Sequence, residues 1–438
     1  MRQTEDRFEA AKQSFLAGLA QMELHNLPEA QTQFEQSLAL MPGRTSTLVN
    51  LGAVRLGLNR PDQALPVLDQ ACRFEPGNTQ AWAYKGQALK ALQRPAEAAQ
   101  SLTQAAQLQP GNPWLWTMLS EAQIAAEQAE AALTSLNRLL VLTPDNATAW
   151  SNRGMLLRDL QRPQEAADSF VKAIAILSAG GRNSAAPTGA LALNQFYLAA
   201  VQAAMPGHSA NNKVEATDPA RQAAPASAPR AYVEKLFDQY AADFDAQLVQ
   251  GLHYHAPAIL LIGLHQRQPD LRWGAVLDLG CGSGLCGPLF RPFAQKLHGL
   301  DVSSDMLQKA RDLAVYDQLW HADALEHLHN STPSYNLILA ADVLIYIGEL
   351  DGLFAAVVRS LQPGGQFAFT VELLESLGAQ AVSDVSLLPS LRYAHSEAYV
   401  RRLAVQFGFE VEQLDHQTLR YENTQPVAGL FVYLKLSS

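Results

Sequence analysis

The chain has 438 residues, of which 48% are hydrophobic and 17% are charged, and its formal net charge is −10. These values are typical of an ordinary globular protein with two or three domains. The longest apolar run, residues 258–264, is too short to span a bilayer, and the N-terminus has no signal pattern. We therefore expect a cytoplasmic protein without a membrane segment.

The cysteines and the charge distribution exclude further classes of site. Three cysteines without a C-x-x-C spacing form neither a disulfide framework nor a zinc site, so no metal is expected. Residues 230–438 contain 14 basic and 23 acidic residues. A negative field of this kind repels phosphate backbones, so we expect no nucleic-acid substrate.

The first elements in chain order form a repeat. The segments FEPGN, LQPGN and LTPDN recur every 34 residues. Five units aligned on them carry alanine at the twentieth position, with leucine or phenylalanine four positions later. Large residues at helical spacing, alanines that allow close approach, and a terminal Pro with Gly or Asn predict a helical pair in each unit. The units begin at Ala11, Thr45, Thr79, Pro113 and Ala147.

This pattern resembles the tetratricopeptide repeat family over residues 11–180. The resemblance implies an all-α solenoid that binds a protein or peptide in its groove. An apolar stretch at 190–204 is expected to cap the array, which then covers residues 11–205. Residues 206–229 are rich in Pro, Ala, Ser and Asn without apolar periodicity, and they predict a flexible linker.

Strand and helix patterns alternate over residues 230–438. Apolar runs such as KLHGLDV and YNLILAADV predict buried strands, and SSDMLQKARDLA predicts a helix between strands. The alternation predicts a doubly wound, Rossmann-like α/β domain that binds ligands at the carboxyl ends of its parallel strands. Two late strand patterns joined by a short loop predict an antiparallel hairpin at the end of the sheet.

The segment VLDLGCGSGLCG, residues 276–287, contains two overlapping glycine patterns. One ends at Gly287 and matches the loop of a dinucleotide site, whereas the other starts at Gly280, just after Asp278. A carboxylate at this strand end is unfavourable beside a pyrophosphate. It suits the sulfonium and the ammonium of S-adenosylmethionine.

Acidic residues also end the next two strand patterns. Asp301 is placed to accept hydrogen bonds from ribose hydroxyls, a role that NAD sites share. Asp323 is expected to accept from the adenine amino group, with Met306 and Leu325 packing against the ring. Three acids at three successive strand ends favour S-adenosylmethionine over a dinucleotide.

Residues 230–438 resemble the class I S-adenosylmethionine-dependent methyltransferases. The resemblance rests on VLDLGCGSG, GLDVSSDML, HADAL, LAADVLIYI and LQPGG. The closer likeness is to methyltransferases fused to tetratricopeptide repeats, whose catalytic part is similar to the trans-aconitate methyltransferase group. It implies methyl transfer with S-adenosylmethionine as cofactor. The implied cofactor-binding residues are Asp278, Gly280, Cys281, Gly282, Gly284, Asp301, Val302, Met306, Asp323, Ala324, Leu325 and Ala341.

The acceptor side is expected to form from the helix before the glycine loop and from segments after the fourth and fifth strands. A general base is needed only if the acceptor must lose a proton, so no particular catalytic residue is demanded. The candidates are Asp342, Tyr346, His255 and His395. The substrate-binding candidates are Tyr240 and Phe244, as a lid, and Tyr254, Arg392 and Tyr393. A surface or packing role is the competing interpretation for each of them.

Three functions stay open from the sequence. In the first, the chain is a methyltransferase whose repeats recruit a protein as substrate or as carrier of a substrate. In the second, it is an interaction scaffold with a domain that binds the cofactor without catalysis. In the third, it methylates a small carboxylate, and the repeats serve assembly.

Overall fold

The computed structural model describes residues 2–180, 188–205, 225–241, 254–267, 271–329, 334–374, 384–422 and 424–437. Contacts divide the chain into two units, Met1–Ile176 and Leu177–Ser438. The first unit is all-α and the second is α/β, which confirms the predicted fold classes. The division differs from the domain limits expected at residues 205 and 230.

Helical pairs build the first unit. A Cβ on Gly52 would lie 2.5 Å from the Leu68 side chain, and one on Gly86 would lie 2.5 Å from Leu102. The large residue of each second helix therefore fits against a small residue of the first, and this contact recurs along the array. The helices are α1 (Arg2–Glu23), α2 (Leu27–Leu40), α3 (Thr45–Gly57), α4 (Pro61–Phe74), α5 (Thr79–Ala91), α6 (Pro95–Leu108), α7 (Pro113–Ala125), α8 (Ala129–Leu142), α9 (Ala147–Asp159) and α10 (Pro163–Gly180).

The repeated tryptophans hold the loops between repeats. The indole Nε1 of Trp82, Trp116 and Trp150 donates in each case to the carbonyl of the proline six residues earlier, at 2.9 Å. In the same loops, the Asn78 and Asn146 side chains accept from helix amides at 3.0 Å and so cap the next helix. These bonds explain why Pro, Asn and Trp recur together every 34 residues.

A mixed sheet forms the centre of the second unit. Its strands are β1 (Trp273–Leu279), β2 (Ala294–Asp301), β3 (Gln318–His321), β4 (Tyr335–Ala340), β5 (Leu361–Leu373), β6 (Val385–Leu387), β7 (Tyr393–His395), β8 (Phe409–Glu422) and β9 (Gln425–Leu436). The helices are α11 (Thr188–Ala203), α12 (Arg230–Tyr240), α13 (Ala256–Arg267), α14 (Gly287–Phe290), α15 (Ser304–Asp312), α16 (Ala324–His329), α17 (Asp351–Ser360) and α18 (Glu397–Gln406).

The strand order brings five parallel carboxyl ends to one edge. Parallel strands run in the order β3-β2-β1-β4-β5, and β9 pairs antiparallel with both β5 and β8. The predicted doubly wound sheet and its terminal hairpin are confirmed. The short strands β6 and β7 were not predicted, since each has three residues and no alternating pattern long enough to recognise.

Buried side chains cover both faces of this sheet, as parallel strands require. On one face, the Phe354 ring of α17 lies 5.7 Å from Phe367 and 5.8 Å from Phe369 of β5. On the other, Gly263 of α13 allows close approach to the Tyr433 ring of β9. Helices packed on both sides leave the carboxyl ends of the strands as the accessible edge.

Helix α11 packs within the second unit. The fully buried Phe196 ring lies 5.3 Å from Tyr232 of α12 and 6.2 Å from Tyr393 of β7. We expected this helix to cap the repeat array. Its apolar periodicity is compatible with either partner, because periodicity identifies a buried face without identifying what covers it.

Residues 225–229, named here the strap, are also part of the second unit. The Ala228 amide donates to the Tyr346 carbonyl at 2.8 Å, and the Gly348 amide donates to the Ala226 carbonyl at 2.8 Å. The Tyr393 hydroxyl donates to the Pro225 carbonyl at 2.5 Å. The strap was expected to belong to a flexible linker, but its backbone bonds hold it against the segment that follows β4.

A Phe196→Ala substitution is expected to destabilise the second unit by about 3–5 kcal/mol, because it leaves a cavity between α11, α12 and β7. Hydrogen exchange read by mass spectrometry should show lost protection in peptides from residues 188–205 and 225–241. A Val141→Ala change, at a side chain that is 75% exposed in the array, serves as the control. Unchanged protection in both peptides would contradict this packing role.

Candidate functional site

The glycine loop follows β1 and turns back towards β2. Gly280, Gly282 and Gly284 have φ angles of 62°, 54° and 94°, a left-handed backbone that favours glycine. A Cβ on Gly280 would lie 2.6 Å from the Val343 side chain, and one on Gly284 would lie 2.8 Å from Leu313. A Cβ on Gly282 would meet no atom within 4 Å. The loop is tightly packed on either side of a backbone position that has open space beside it.

Asp301 ends β2 and is bonded directly to this loop. Its Oδ2 accepts from the Gly282 amide at 2.9 Å, and its Oδ1 accepts from the Ser303 amide at 2.8 Å. Burial raises the pKa of its carboxyl group, which the backbone amides partly oppose. Each carboxylate oxygen has a second lone pair, so the group can also accept from a ligand hydroxyl.

Asp323 follows β3 and begins α16. Its Oδ1 accepts from the amides of Leu325 and Glu326, at 2.9 and 3.1 Å, in the geometry of a helix N-cap. These bonds fix the half-buried side chain at the same edge of the sheet as Asp301, and they engage one of its two oxygens.

Asp278 lies below the glycine loop at the end of β1. The carboxyl group is 1% exposed, and the Tyr316 hydroxyl donates to its Oδ2 at 2.7 Å. Burial raises its pKa to about 7, while hydrogen bonds from Tyr316 and from the Cys286 thiol lower it. Tyr316 was not singled out from the sequence, since it lies 38 residues from its partner and no local pattern marks it.

The other predicted cofactor residues lie on the same loops. Val302 follows β2, Ala324 and Leu325 begin α16, and Ala341 follows β4, all half-buried. Cys281 is buried, and its amide donates to a carbonyl of β2 at 2.9 Å. Met306 of α15 is fully buried.

A buried charge cluster lies at the carboxyl ends of β4, β5 and β8. Arg420 is 1% exposed and donates to Asp342 at 3.0 Å, to Glu372 at 2.7 Å and to Glu422 at 2.7 Å. Asp342 has a φ of 58°, and its amide donates to the Thr370 hydroxyl at 2.8 Å. Two side-chain nitrogens of Arg420 therefore join the end of β8 to the ends of β4 and β5, and the third binds Glu422 on β8 itself.

Of this cluster, the sequence singled out Asp342 but missed Arg420, Glu372 and Glu422. A weak signal exists, because Arg420 and Glu422 are two residues apart on one strand and therefore share a face. The pairing with β4 and β5 is set by the fold alone, since Glu372 and Arg420 are 48 residues apart in the chain.

Arg392 and Tyr346 extend the cluster. Arg392 pairs with Glu422, and it hydrogen-bonds to the Tyr346 hydroxyl. Burial raises the pKa of Tyr346. Arg392 therefore reaches the predicted acceptor side with its charge already paired. We use the name Arg420 cluster for the five residues Asp342, Glu372, Arg392, Arg420 and Glu422.

Two of the predicted aromatic residues differ in position. Tyr254 is buried, and its pKa is raised well above the usual value by burial and by the charge of Asp342, so it lies close to the cluster. Tyr240 is 49% exposed at the end of α12. Phe244 lies outside the described residues. On α12, Phe237 faces the acceptor side, with its ring 5.6 Å from that of Tyr346.

The two histidine candidates differ in burial. His255 is exposed just before α13. His395 is fully buried, and its Nε2 donates to the carbonyls of Ile347 and Gly348 at 2.9 and 3.0 Å. Burial lowers its pKa to about 4, so it is neutral near pH 7. Tyr393 is also buried, with its hydroxyl on the strap, and both side chains have packing roles.

Known protein families match both units. A model described as "Methyltransferase domain" matches residues 276–365. Models described as "Tetratricopeptide repeat" match residues 49–113, 89–156 and 147–176. The second unit carries a methyltransferase domain. The first unit carries tetratricopeptide repeats, as the sequence predicted.

Curated relatives of the methyltransferase domain match it in part. A malonyl-[acyl-carrier protein] O-methyltransferase of Enterobacter lignolyticus is 31% identical over 26% of this chain and 45% of that protein. The protein of the same name in Salmonella typhimurium is 30% identical over 38% of this chain and 59% of that protein. A trans-aconitate 2-methyltransferase of Pseudomonas paraeruginosa is 36% identical over 21% of this chain and 34% of that protein. The chain thus spans less than two thirds of the length of these relatives.

S-adenosylmethionine is the cofactor of the methyltransferase domain. The residues fit it, since open space beside Gly282 adjoins the carboxylate of Asp301. No group of three metal-ligating side chains occurs within the residues that the structure describes. The helices in those ranges include none that is long and apolar enough to cross a membrane.

The affinity for S-adenosylmethionine is expected to rise with pH through about 7, where burial places the pKa of Asp278. The cationic cofactor favours the ionised carboxylate, so affinity should change by up to about tenfold per pH unit below that pKa. The stability of the free protein changes with pH in the opposite direction. Because the pKa of Asp278 is raised on folding, stability falls as pH rises from the unfolded pKa of the carboxyl group to its folded value of about 7.

Calorimetric titrations of the cofactor on either side of this pH measure the effect. Tyr316→Phe removes a bond that lowers the pKa of Asp278, so the midpoint should move to higher pH. Asp278→Asn should give a flat profile. A wild-type profile as flat as that of Asp278→Asn would contradict the proposed contribution of the Asp278 charge to cofactor binding.

Proposed function

We propose that this chain is an S-adenosylmethionine-dependent methyltransferase whose repeat array recruits a protein that is, or carries, the methyl acceptor. The methyltransferase activity in this proposal is supported mainly by the hydrogen bond from the Gly282 amide to Asp301. This bond places the glycine loop beside a carboxylate at a strand end. The recruitment of a protein is supported by the tetratricopeptide repeats, since arrays of this kind bind peptide segments on a curved surface.

Each residue at the cofactor edge has a proposed role. When bound, S-adenosylmethionine supplies a methyl group that its positive sulfur has already activated. We assign Asp301 to the ribose hydroxyls and Asp323 to the adenine amino group, because each carboxylate ends a strand at this edge. Gly280 to Gly284 would hold the methionine portion, with the charge of Asp278 below them.

On the acceptor side, we propose Tyr254, Tyr346 and Phe237 as the walls that exclude water from the transferred methyl group. Asp342 keeps its charge engaged with Arg420, and His395 is fully buried, with its Nε2 donating to two backbone carbonyls. We therefore propose an acceptor oxygen that needs no base, such as a carboxylate, which is already deprotonated at pH 7.

The names of two relatives support an acid as acceptor. One specifies a malonyl group on acyl-carrier protein, and the other specifies trans-aconitate. An acid carried by a protein would use both units of this chain. Arg392 is the candidate to bind the carboxylate bidentately, in exchange for its pair with Glu422. A free small acid, with the repeats serving assembly, is the second candidate.

The proposal is tested by methyl transfer in cell extract. Full-length protein and a fragment of residues 177–438 would each be incubated with methyl-labelled S-adenosylmethionine, and the labelled fraction would be identified. The fragment starts at the contact boundary, so that it keeps α11 and the strap. Cofactor binding by the fragment serves as the control for its folding.

The outcomes separate the three functions. Label on a protein, or on an acid released from one, that is lost with the fragment supports recruitment by the repeats. Label in a free small molecule with both proteins supports the second candidate. Cofactor binding without any transfer would favour a scaffold and contradict the proposed enzyme.

A further inference from the structure

Helix α12 contacts both sides of the proposed active site through two consecutive residues. The Phe237 ring meets the Tyr346 ring edge-on on the acceptor side, with 5.6 Å between centroids. Asp238 Oδ1 accepts from the Ser303 hydroxyl at 2.6 Å on the cofactor side. Consecutive helical residues point about 100° apart, so one helix reaches both sides.

Ser303 is the node of a hydrogen-bond chain that begins at Asp238. Its side chain is fully buried, and its Oγ accepts from the Met306 amide at 3.1 Å, which caps α15. The Ser303 amide donates to Asp301 Oδ1, and Asp301 Oδ2 accepts from Gly282. The chain therefore runs from α12 to the glycine loop, since Ser303 binds Asp238 through its hydroxyl and Asp301 through its amide.

The bond to Asp238 satisfies the proton of a buried hydroxyl. A buried donor without an acceptor is costly, so removing the Asp238 carboxylate should make Ser303 rotate or admit water. Either change would disturb the turn that orients Asp301. Helix α12 has no fully buried residue, and the bond from Ser303 to Asp238 holds it in place together with the packing of Tyr232 on Phe196.

We propose that Asp238 is a positioning residue: it holds α12 against the turn after β2 and fixes Asp301 for the cofactor ribose. The inference rests on the proposed function, since it concerns the same cofactor site. Because Phe237 lies on the same helix, a bound cofactor that stabilises this chain of bonds also stabilises the acceptor-side wall. Asp238 acts through Ser303 and does not contact the reacting atoms.

The test measures binding of S-adenosylhomocysteine to full-length protein by calorimetry. Asp238→Ala should weaken binding by about tenfold, the effect of one lost charge-assisted hydrogen bond. Asp238→Asn keeps an acceptor oxygen and should stay within about threefold of wild type. Gln239→Ala changes the exposed neighbour of Asp238 and is the matched control.

A second readout separates positioning from general stability. Hydrogen exchange of residues 225–241 should slow when S-adenosylhomocysteine binds wild type and Asp238→Asn, but not when it binds Asp238→Ala. A purely structural role would lower the melting temperature of the free variant and leave affinity and ligand-induced protection unchanged, which overturns the inference. Absence of binding by wild type would instead overturn the proposed function, and this inference with it.

Discussion

Replacing Arg420 with methionine is expected to destabilise the second unit by about 3–5 kcal/mol. The guanidinium is 1% exposed and pairs with Asp342, Glu372 and Glu422. Methionine fills much of the same volume but provides no positive charge. The three carboxylates would then repel one another in a buried region, with Arg392 as the remaining partner of Glu422.

The pH dependence of this loss gives it a distinct signature. In wild type, burial raises the pKa of Glu372 by more than its pair with Arg420 lowers it. For Glu422, burial raises the pKa by less than Arg392 and Arg420 together lower it, so its net shift is downward. That contribution to stability is present above the unfolded pKa and is lost as pH falls through the folded value. In Arg420→Met the unpaired carboxylates have raised pKa values, so stability is lost as pH rises and regained at low pH.

Urea denaturation of the full chain at several pH values measures both effects. Arg402→Met is the matched control, because Arg402 forms an exposed pair with Asp384 and its loss should cost at most about 1 kcal/mol. Equal losses in Arg420→Met and Arg402→Met would contradict the role of the Arg420 cluster. So would an Arg420→Met variant whose deficit does not shrink at low pH.

Replacing Asp301 with alanine should weaken S-adenosylmethionine binding by about 100-fold or more. Asp301 accepts from the Gly282 and Ser303 amides, and alanine leaves both donors without this acceptor, the Ser303 amide in a buried position. The proposed bonds to the ribose hydroxyls are lost as well. The loop and the turn that form the site would therefore lose their common anchor.

Calorimetry with S-adenosylmethionine measures this loss, and circular dichroism reports whether the variant stays folded. Asp305→Ala, at an exposed position on the first turn of α15, is the control and should bind as wild type does. Asp301→Asn keeps one acceptor oxygen and should fall between the two. Affinity of Asp301→Ala close to that of the control would remove Asp301 from the cofactor site.

Local patterns predicted the repeats and the cofactor edge. A 34-residue period with Ala, Pro and Trp at fixed positions reports contacts between neighbours in the chain, so the helical pairs follow from sequence alone. Gly280, Gly282 and Gly284 were predicted from the glycine pattern that follows Asp278, and their left-handed backbone, which favours glycine, explains that pattern. Asp301 and Asp323 were predicted at strand ends because such ends can be recognised from apolar runs, and both residues lie there.

Assignments that depended on distant partners were less successful. His395 was a reasonable candidate base by residue type, but β7 places it in the interior against the backbone of residues 347–348. Tyr393 is covered in the same way by α11 and the strap. The sequence identifies chemical groups, whereas burial decides which of them a substrate can reach.

The sequence by itself therefore determined the two fold classes, the repeat register and the glycine loop, since these depend on contacts within a few turns or on backbone angles. The tertiary structure alone decided that α11 packs against α12 within the second unit, and that Arg420 joins the ends of β4, β5 and β8. Asp342 and Arg420 are 78 residues apart. Such pairs form because the sheet brings strand ends together, and no local pattern encodes which charges will meet there.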